Sequence, residues 1–155
     1  MAHIHDRIDM VATALIVNKG RVLLRLHDKY NTWLGVGGHI ELDEDPNQAV
    51  IRECKEEVGL DVKLISPRRE NYPQTDNTPL VAPFFLNRHW INETHEHVDL
   101  LYVAVSETDK VNPGEGETKD GIKWFTLEEL EANKEIRDIV KYYAKEALKT
   151  VTGQS

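Results

Sequence analysis

The chain has 155 residues, with 19 Lys and Arg against 27 Asp and Glu for a formal charge of -8, and 40% of its residues are hydrophobic. A chain of this size buries roughly two thirds of its unfolded surface, so we expect one domain over residues 1–155 whose core depends on neither disulfides nor a structural zinc. The single cysteine, Cys54, excludes a disulfide framework and fits a reducing compartment, while the acidic balance argues against gripping a nucleic-acid polymer by neutralising its phosphates.

The first apolar run, Met10 to Val17, is well short of the ~20 residues needed to cross a bilayer. Asp6 and Asp9 stand where a secretion signal would carry basic residues, so the expectation is a cytoplasmic protein with no membrane anchor. Val11 to Val17 and Val22 to Leu26 are β-rich runs joined by Asn18-Lys19-Gly20, which reads as a hairpin. After Trp33 comes the glycine-rich segment Gly35-Val36-Gly37-Gly38.

A helix is expected from about Asp45 to Val58: Asp45 caps it, Pro46 suits its first turn, and Gly59 stops it. Asp61 to Ile65, Phe84 to Ile91, Val98 to Ser106 and Gly121 to Phe125 read as strands. Thr126 to Glu129 has capping-box spacing, and Ile136, Ile139, Val140, Tyr143, Ala147 and Leu148 trace one face of a C-terminal helix. Strands and helices mix without regular alternation, so the class is α+β or a sandwich around a mixed sheet.

At about 100° per residue, Glu53, Glu56 and Glu57 share one face of the first helix, with Ala49 small enough to leave room among them. Val50, Ile51, Cys54 and Val58 form the packing side. Three clustered carboxylates repel and call for a cation, and hard oxygen donors suit Mg²⁺ or Mn²⁺.

These carboxylates sit in a fixed spacing: Gly38, five residues, Glu44, seven residues, then Arg52-Glu53-Cys54-Lys55-Glu56-Glu57-Val58-Gly59-Leu60. The string resembles the Nudix box at every fixed position. The resemblance implies a Nudix-type α/β/α sandwich with a mixed β-sheet. It also implies divalent-cation hydrolysis of a nucleoside diphosphate linked to another group: a nucleoside triphosphate, an oxidised nucleotide such as 8-oxo-dGTP, or ADP-ribose or another nucleotide sugar.

By the same resemblance, Glu53, Glu56 and Glu57 are the metal ligands, joined by a backbone carbonyl near Gly37 or Gly38, where a side chain would block close approach. Glu44 and Arg52 pair to orient the helix, and Glu41 faces the metal-bound water. The general base is Glu53 or a neighbour, or a carboxylate of the loop before Trp124-Phe125, where Glu117 is better placed than Glu115 or Asp120. Arg25 is the candidate phosphate contact. Val36 departs from the proline common before the double glycine and is similar to the MutT-related form. A homodimer is common in the family. The alternative is an inactive Nudix-fold binding or regulatory module, which commonly lacks one or more box acids; this chain lacks none.

His95, His97 and Asp99 alternate and so share one strand face. They read either as a second metal or substrate site or as a partly solvated strand edge that Leu101 and Val103 continue into the core.

Overall fold

The computed structural model describes residues 6–69, 71–117 and 119–153. The chain opens with β1 (Ile8–Asn18) and β2 (Arg21–His27), joined by Lys19 and Gly20. Both turn residues are left-handed, at φ 48° and 73°, the conformation whose twist matches a two-residue hairpin. Next come β3 (Thr32–Leu34), β4 (Val36–His39), α1 (Pro46–Val58), β5 (Val62–Ile65), β6 (Phe85–Trp90) and β7 (Glu96–Ser106). The last elements are β8 (Ile122–Phe125), α2 (Leu127–Ala132) and α3 (Asp138–Thr152).

The strands form one mixed sheet in an α+β fold. At its centre β1 runs parallel to β7, with Ile8 opposite Glu96 and Val17 opposite Val105. On the other side of β1, β4 pairs antiparallel with its first half and β2 with its last residues. In the same way β6 pairs with the first half of β7 and β5 with its end. At the N-terminal end of β1 the strands therefore lie in the order β4, β1, β7, β6.

Side-chain alternation along β1 and β7 divides the core. Ala12, Ala14, Ile16, Tyr102 and Ala104 pack against Ala49, Val50, Cys54 and Val58 of α1. Leu15, Val17 and Val103 point to the other face, onto Val140, Ala144, Ala147 and Leu148 of α3. Alanines on the first face bring α1 close to the sheet. Among the described residues, no helix is long and apolar enough to cross a membrane.

The differences from the sequence reading have local causes. Ala49 is fully buried against the sheet and opens no space among the carboxylates, whereas Ile51 is largely exposed. The glycine segment is strand β4 because β1 supplies its ladder. The C-terminal helix is two helices: the Asn133 side chain accepts from the amides of Glu135 and Ile136 and ends the first. Ile136 is buried ahead of α3, and Ile139 faces outward.

Candidate functional site

Helix α1 is fixed at both ends. The Asp45 side chain accepts from the Gln48 amide at 2.9 Å, and the Gln48 side chain accepts from the Asp45 amide at 2.9 Å. At the other end Gly59, at φ 68°, donates to the Cys54 and Lys55 carbonyls. A Cβ on Gly59 would collide with the carbonyl of Asn112. The amides of Asn112 and Gly114 donate to Val58 and Glu56 carbonyls, each at 2.8 Å. The loop bearing Glu115, Glu117 and Asp120 is thereby tied to the end of the carboxylate helix.

Arg52 organises the acids around it. Its Nε and Nη2 form a fork on Glu44, at 3.0 Å to Oε2 and 2.7 Å to Oε1. Its Nη1 donates to Glu53 Oε1 at 3.0 Å and Glu56 Oε2 at 3.1 Å, and Nη2 reaches the His39 carbonyl at 3.2 Å. The hydrogen bonds from Arg52 hold the Glu44 carboxyl below its ordinary range. Glu41 enters through its backbone, its amide donating to Glu44 Oε1 at 3.0 Å.

Glu53 is buried under β4 and Glu57 half-buried beside it, while the Glu56 side chain is 59% exposed. Burial raises the Glu53 carboxyl against the opposing pull of Arg52. Burial also pushes Glu57 up to about 7; Arg25 opposes that rise, Glu53 and Glu117 add to it, and the Gly37 amide donates to the carboxylate. Arg25, on β2, lies between helix and loop, with Nη2 2.8 Å from Glu117 Oε2 and Nη1 3.7 Å from Glu57 Oε1. The structure thus brings Arg25, Glu57, Glu117 and Gly37 together, beside the Arg52, Glu44, Glu53 and Glu56 group.

Gly37 and Gly38 have different requirements. A Cβ on Gly37 would strike the Ala12 carbonyl of β1, and one on Gly38 would fall on the Glu53 carboxylate. A buried and a half-buried carboxylate beside two glycines fit a hard divalent cation, which takes oxygen donors and neutralises like charges. Gly38→Ala is expected to displace the Glu53 carboxylate and lower kcat by about 100-fold, at a cost of about 1–3 kcal/mol in stability. Steady-state kinetics and thermal melts check both numbers.

Cys54 offers no nucleophile here, because it is fully buried and burial pushes its thiol up. Among the larger aromatic side chains, Phe84, Phe85 and Trp33 pack into the α3-side core, while Tyr72 and Trp90 are exposed.

A second polar cluster lies on the α3 face. His95 Nε2 is 2.8 Å from Asp9 Oδ2, and His39 Nε2 is 3.3 Å from the same oxygen. The His97 ring lies 5.1 Å from His39, 5.5 Å from His95 and 5.8 Å from His89, all edge-on. Burial and the neighbouring imidazoles push His97 down to about 4. Asp99 stands apart from the group, accepting from Thr13 Oγ1 at 2.8 Å, and burial pushes it up to about 7. Asp9, His39 and His89 escape sequence reasoning because strand pairing, not spacing, sets them beside His95 and His97.

Comparison with known proteins gives the same architecture. The family description of the NUDIX domain matches residues 7–145. A crystal structure of a hydrolase of the NUDIX family from Clostridium perfringens is 32% identical, with a TM-score of 0.81 over 92% of this chain and 97% of that one. A probable DHNTP pyrophosphohydrolase of Lactococcus lactis subsp. cremoris (strain MG1363) is 26% identical over 139 residues, 90% of this chain and 75% of that protein. The CTP pyrophosphohydrolase of Escherichia coli (strain K12) is 30% identical over 105 residues, 63% of this chain and 76% of that protein.

Proposed function

Because this chain belongs to the Nudix family of hydrolases acting on pyrophosphate bonds, we propose that it is a Mg²⁺-dependent pyrophosphohydrolase, Mn²⁺ substituting. Its substrate is a nucleoside diphosphate linked to a second group: a nucleoside triphosphate, an oxidised nucleotide such as 8-oxo-dGTP, or ADP-ribose or another nucleotide sugar. The observation that carries this reading is the meeting of the buried Glu53 and half-buried Glu57 carboxylates beside Gly38 and Gly37, with Arg25 and Glu117 alongside.

Glu53, Glu56 and Glu57 would hold the cation, together with a carbonyl near Gly38. When bound, Mg²⁺ neutralises the diphosphate and lowers the pKa of the attacking water. Arg52 and Glu44 fix the helix that presents the carboxylates, and Glu41, whose amide binds Glu44, would face the attacking water. Arg25 turns from Glu117 to a substrate phosphate, which frees the Glu117 carboxylate to take the proton from water. The water oxygen bonds to phosphorus, the anhydride P–O bond breaks, and its electron pair leaves with the departing phosphate oxygen.

Both curated relatives described above are named as pyrophosphohydrolases, which makes triphosphates the first substrates to test. The test measures phosphate and pyrophosphate release from canonical triphosphates, 8-oxo-dGTP, ADP-ribose and nucleotide sugars with Mg²⁺ or Mn²⁺, wild type beside Glu53→Gln. Turnover of one substrate that disappears in the variant supports hydrolysis. Nucleotide binding without turnover of any substrate supports the inactive binding module instead.

A further inference from the structure

We infer that Asp9, His95 and His97 form a second metal site, of the zinc class, on the face of the sheet opposite the carboxylate helix, with His39 as its fourth donor. The ligand atoms of Asp9, His95 and His97 all lie within 4.8 Å of one another. A tetrahedral ion with bonds of about 2.0–2.1 Å separates its ligand atoms by roughly 3.4 Å. His39 Nε2 is already 3.3 Å from Asp9 Oδ2, while the 2.8 Å hydrogen bond from His95 to that oxygen has to widen by a fraction of an ångström.

The topology explains how the chain gathers these donors. At the N-terminal end of β1, the neighbouring strands β4, β1, β7 and β6 carry His39, Asp9, His97 and His89 on one face. His97 lies opposite Asp9 in the parallel ladder and opposite His89 in the antiparallel one. His95 reaches the same point from the turn before β7, where its carbonyl accepts from the amides of Ile91 and Asn92 at 2.8 and 3.3 Å. Asp9 and His95 are almost wholly buried, at 1% and 5% exposure. Three imidazoles with one carboxylate suit Zn²⁺ and its first-row neighbours, whereas Mg²⁺ prefers the all-oxygen set on α1.

Such an ion would clip β4 to β1 and to the β6–β7 turn. His39 directly follows Gly38, and its carbonyl accepts from Arg52, so the clip would stiffen the strand that faces Glu53. Its role is structural support for the glycine strand, separate from the cation proposed at the box.

The test adds Zn²⁺ alone, and Co²⁺ alone, to the untagged full chain stripped of metal, in wild type, His97→Gln, Asp9→Asn and Glu57→Gln. The expected result is one tight Zn²⁺ equivalent that raises Tm in wild type and Glu57→Gln. His97→Gln and Asp9→Asn should weaken that binding by at least about 100-fold, since even loss of a residue supporting a ligand costs 10–100-fold. Co²⁺ should give the intense visible bands of a tetrahedral site in wild type. Those bands, with metal-dependent shifts of the imidazole nitrogens by NMR, support the site even where a variant fails to fold. Equal Zn²⁺ affinity in wild type and His97→Gln, loss in Glu57→Gln instead, or a wild type without tight Zn²⁺ binding or tetrahedral bands would overturn it. The cluster would then be a hydrogen-bonded network around Asp9.

Discussion

Glu57→Gln is expected to remove nearly all turnover and at the same time to stabilise the metal-free protein near neutral pH. Taking away one preorganised electrostatic contact costs on the order of 10²–10³ in kcat. A carboxylate proposed to hold the cation belongs at the upper end of that range. The stability effect has a separate origin. Glu57 rises from an ordinary 4.5 to about 7 because it is buried beside Glu53 and Glu117. The folded protein therefore holds a proton that the unfolded chain releases across this interval. The stabilisation is fully present below pH 4.5 and is lost as pH rises through about 7. The loss amounts to about 3 kcal/mol, and glutamine, which does not titrate, abolishes it. Thermal melts in chelator from pH 4 to 9 should show wild type falling relative to Glu57→Gln across that window. Mg²⁺ should restore wild type at pH 8 and do little for the variant. Parallel melting curves in chelator, or turnover within about tenfold of wild type, would remove Glu57 from the site.

The carboxylate helix was legible because its signals are local. A cap, a proline, a terminal glycine and residues three and four apart all lie within one stretch of chain, and helical geometry alone puts Glu53, Glu56 and Glu57 on one side. The Arg52–Glu44 pair was legible only through resemblance, and the structure gives it a physical basis as a two-point fork. Non-local features were less accessible. β3 and β4 are only three and four residues long, β4 carrying two glycines, and they become strands only because β2 and β1 offer ladders. Gly38 looked like a site of backbone approach to a metal, but its immediate constraint is the Glu53 side chain. The bond from Arg25 to Glu117 joins residues 92 apart in sequence, a distance at which spacing carries no information. The histidine cluster was half visible: alternation placed His95 and His97 on one face, and only the β1–β7 register adds Asp9.

Arg52→Met is the second large effect, and it should act on folding and catalysis together. The arginine is about a quarter exposed, but Glu44 and Glu53 are nearly buried, at 11% and 8%. Removing the cation leaves both carboxylates without their main partner, which for a buried pair costs 3–5 kcal/mol; the partial exposure of Arg52 reduces this to about 2–4 kcal/mol. Arg52→Lys should fall between, because an ammonium keeps the charge but cannot form the fork on Glu44 while also reaching Glu53 and the His39 carbonyl. Displaced Glu53 should appear mainly in kcat, with KM changing less, since the Arg52 guanidinium is occupied by three carboxylates and a backbone carbonyl. A double-mutant cycle isolates the pairing. Glu44→Gln placed in the Arg52→Met background removes one orphaned charge, so the double variant should be more stable than the sum of the single losses predicts. Strict additivity, or a lysine variant equal to wild type in kcat, would reduce Arg52 to an ordinary surface charge and leave the carboxylate helix held by its caps and core alone.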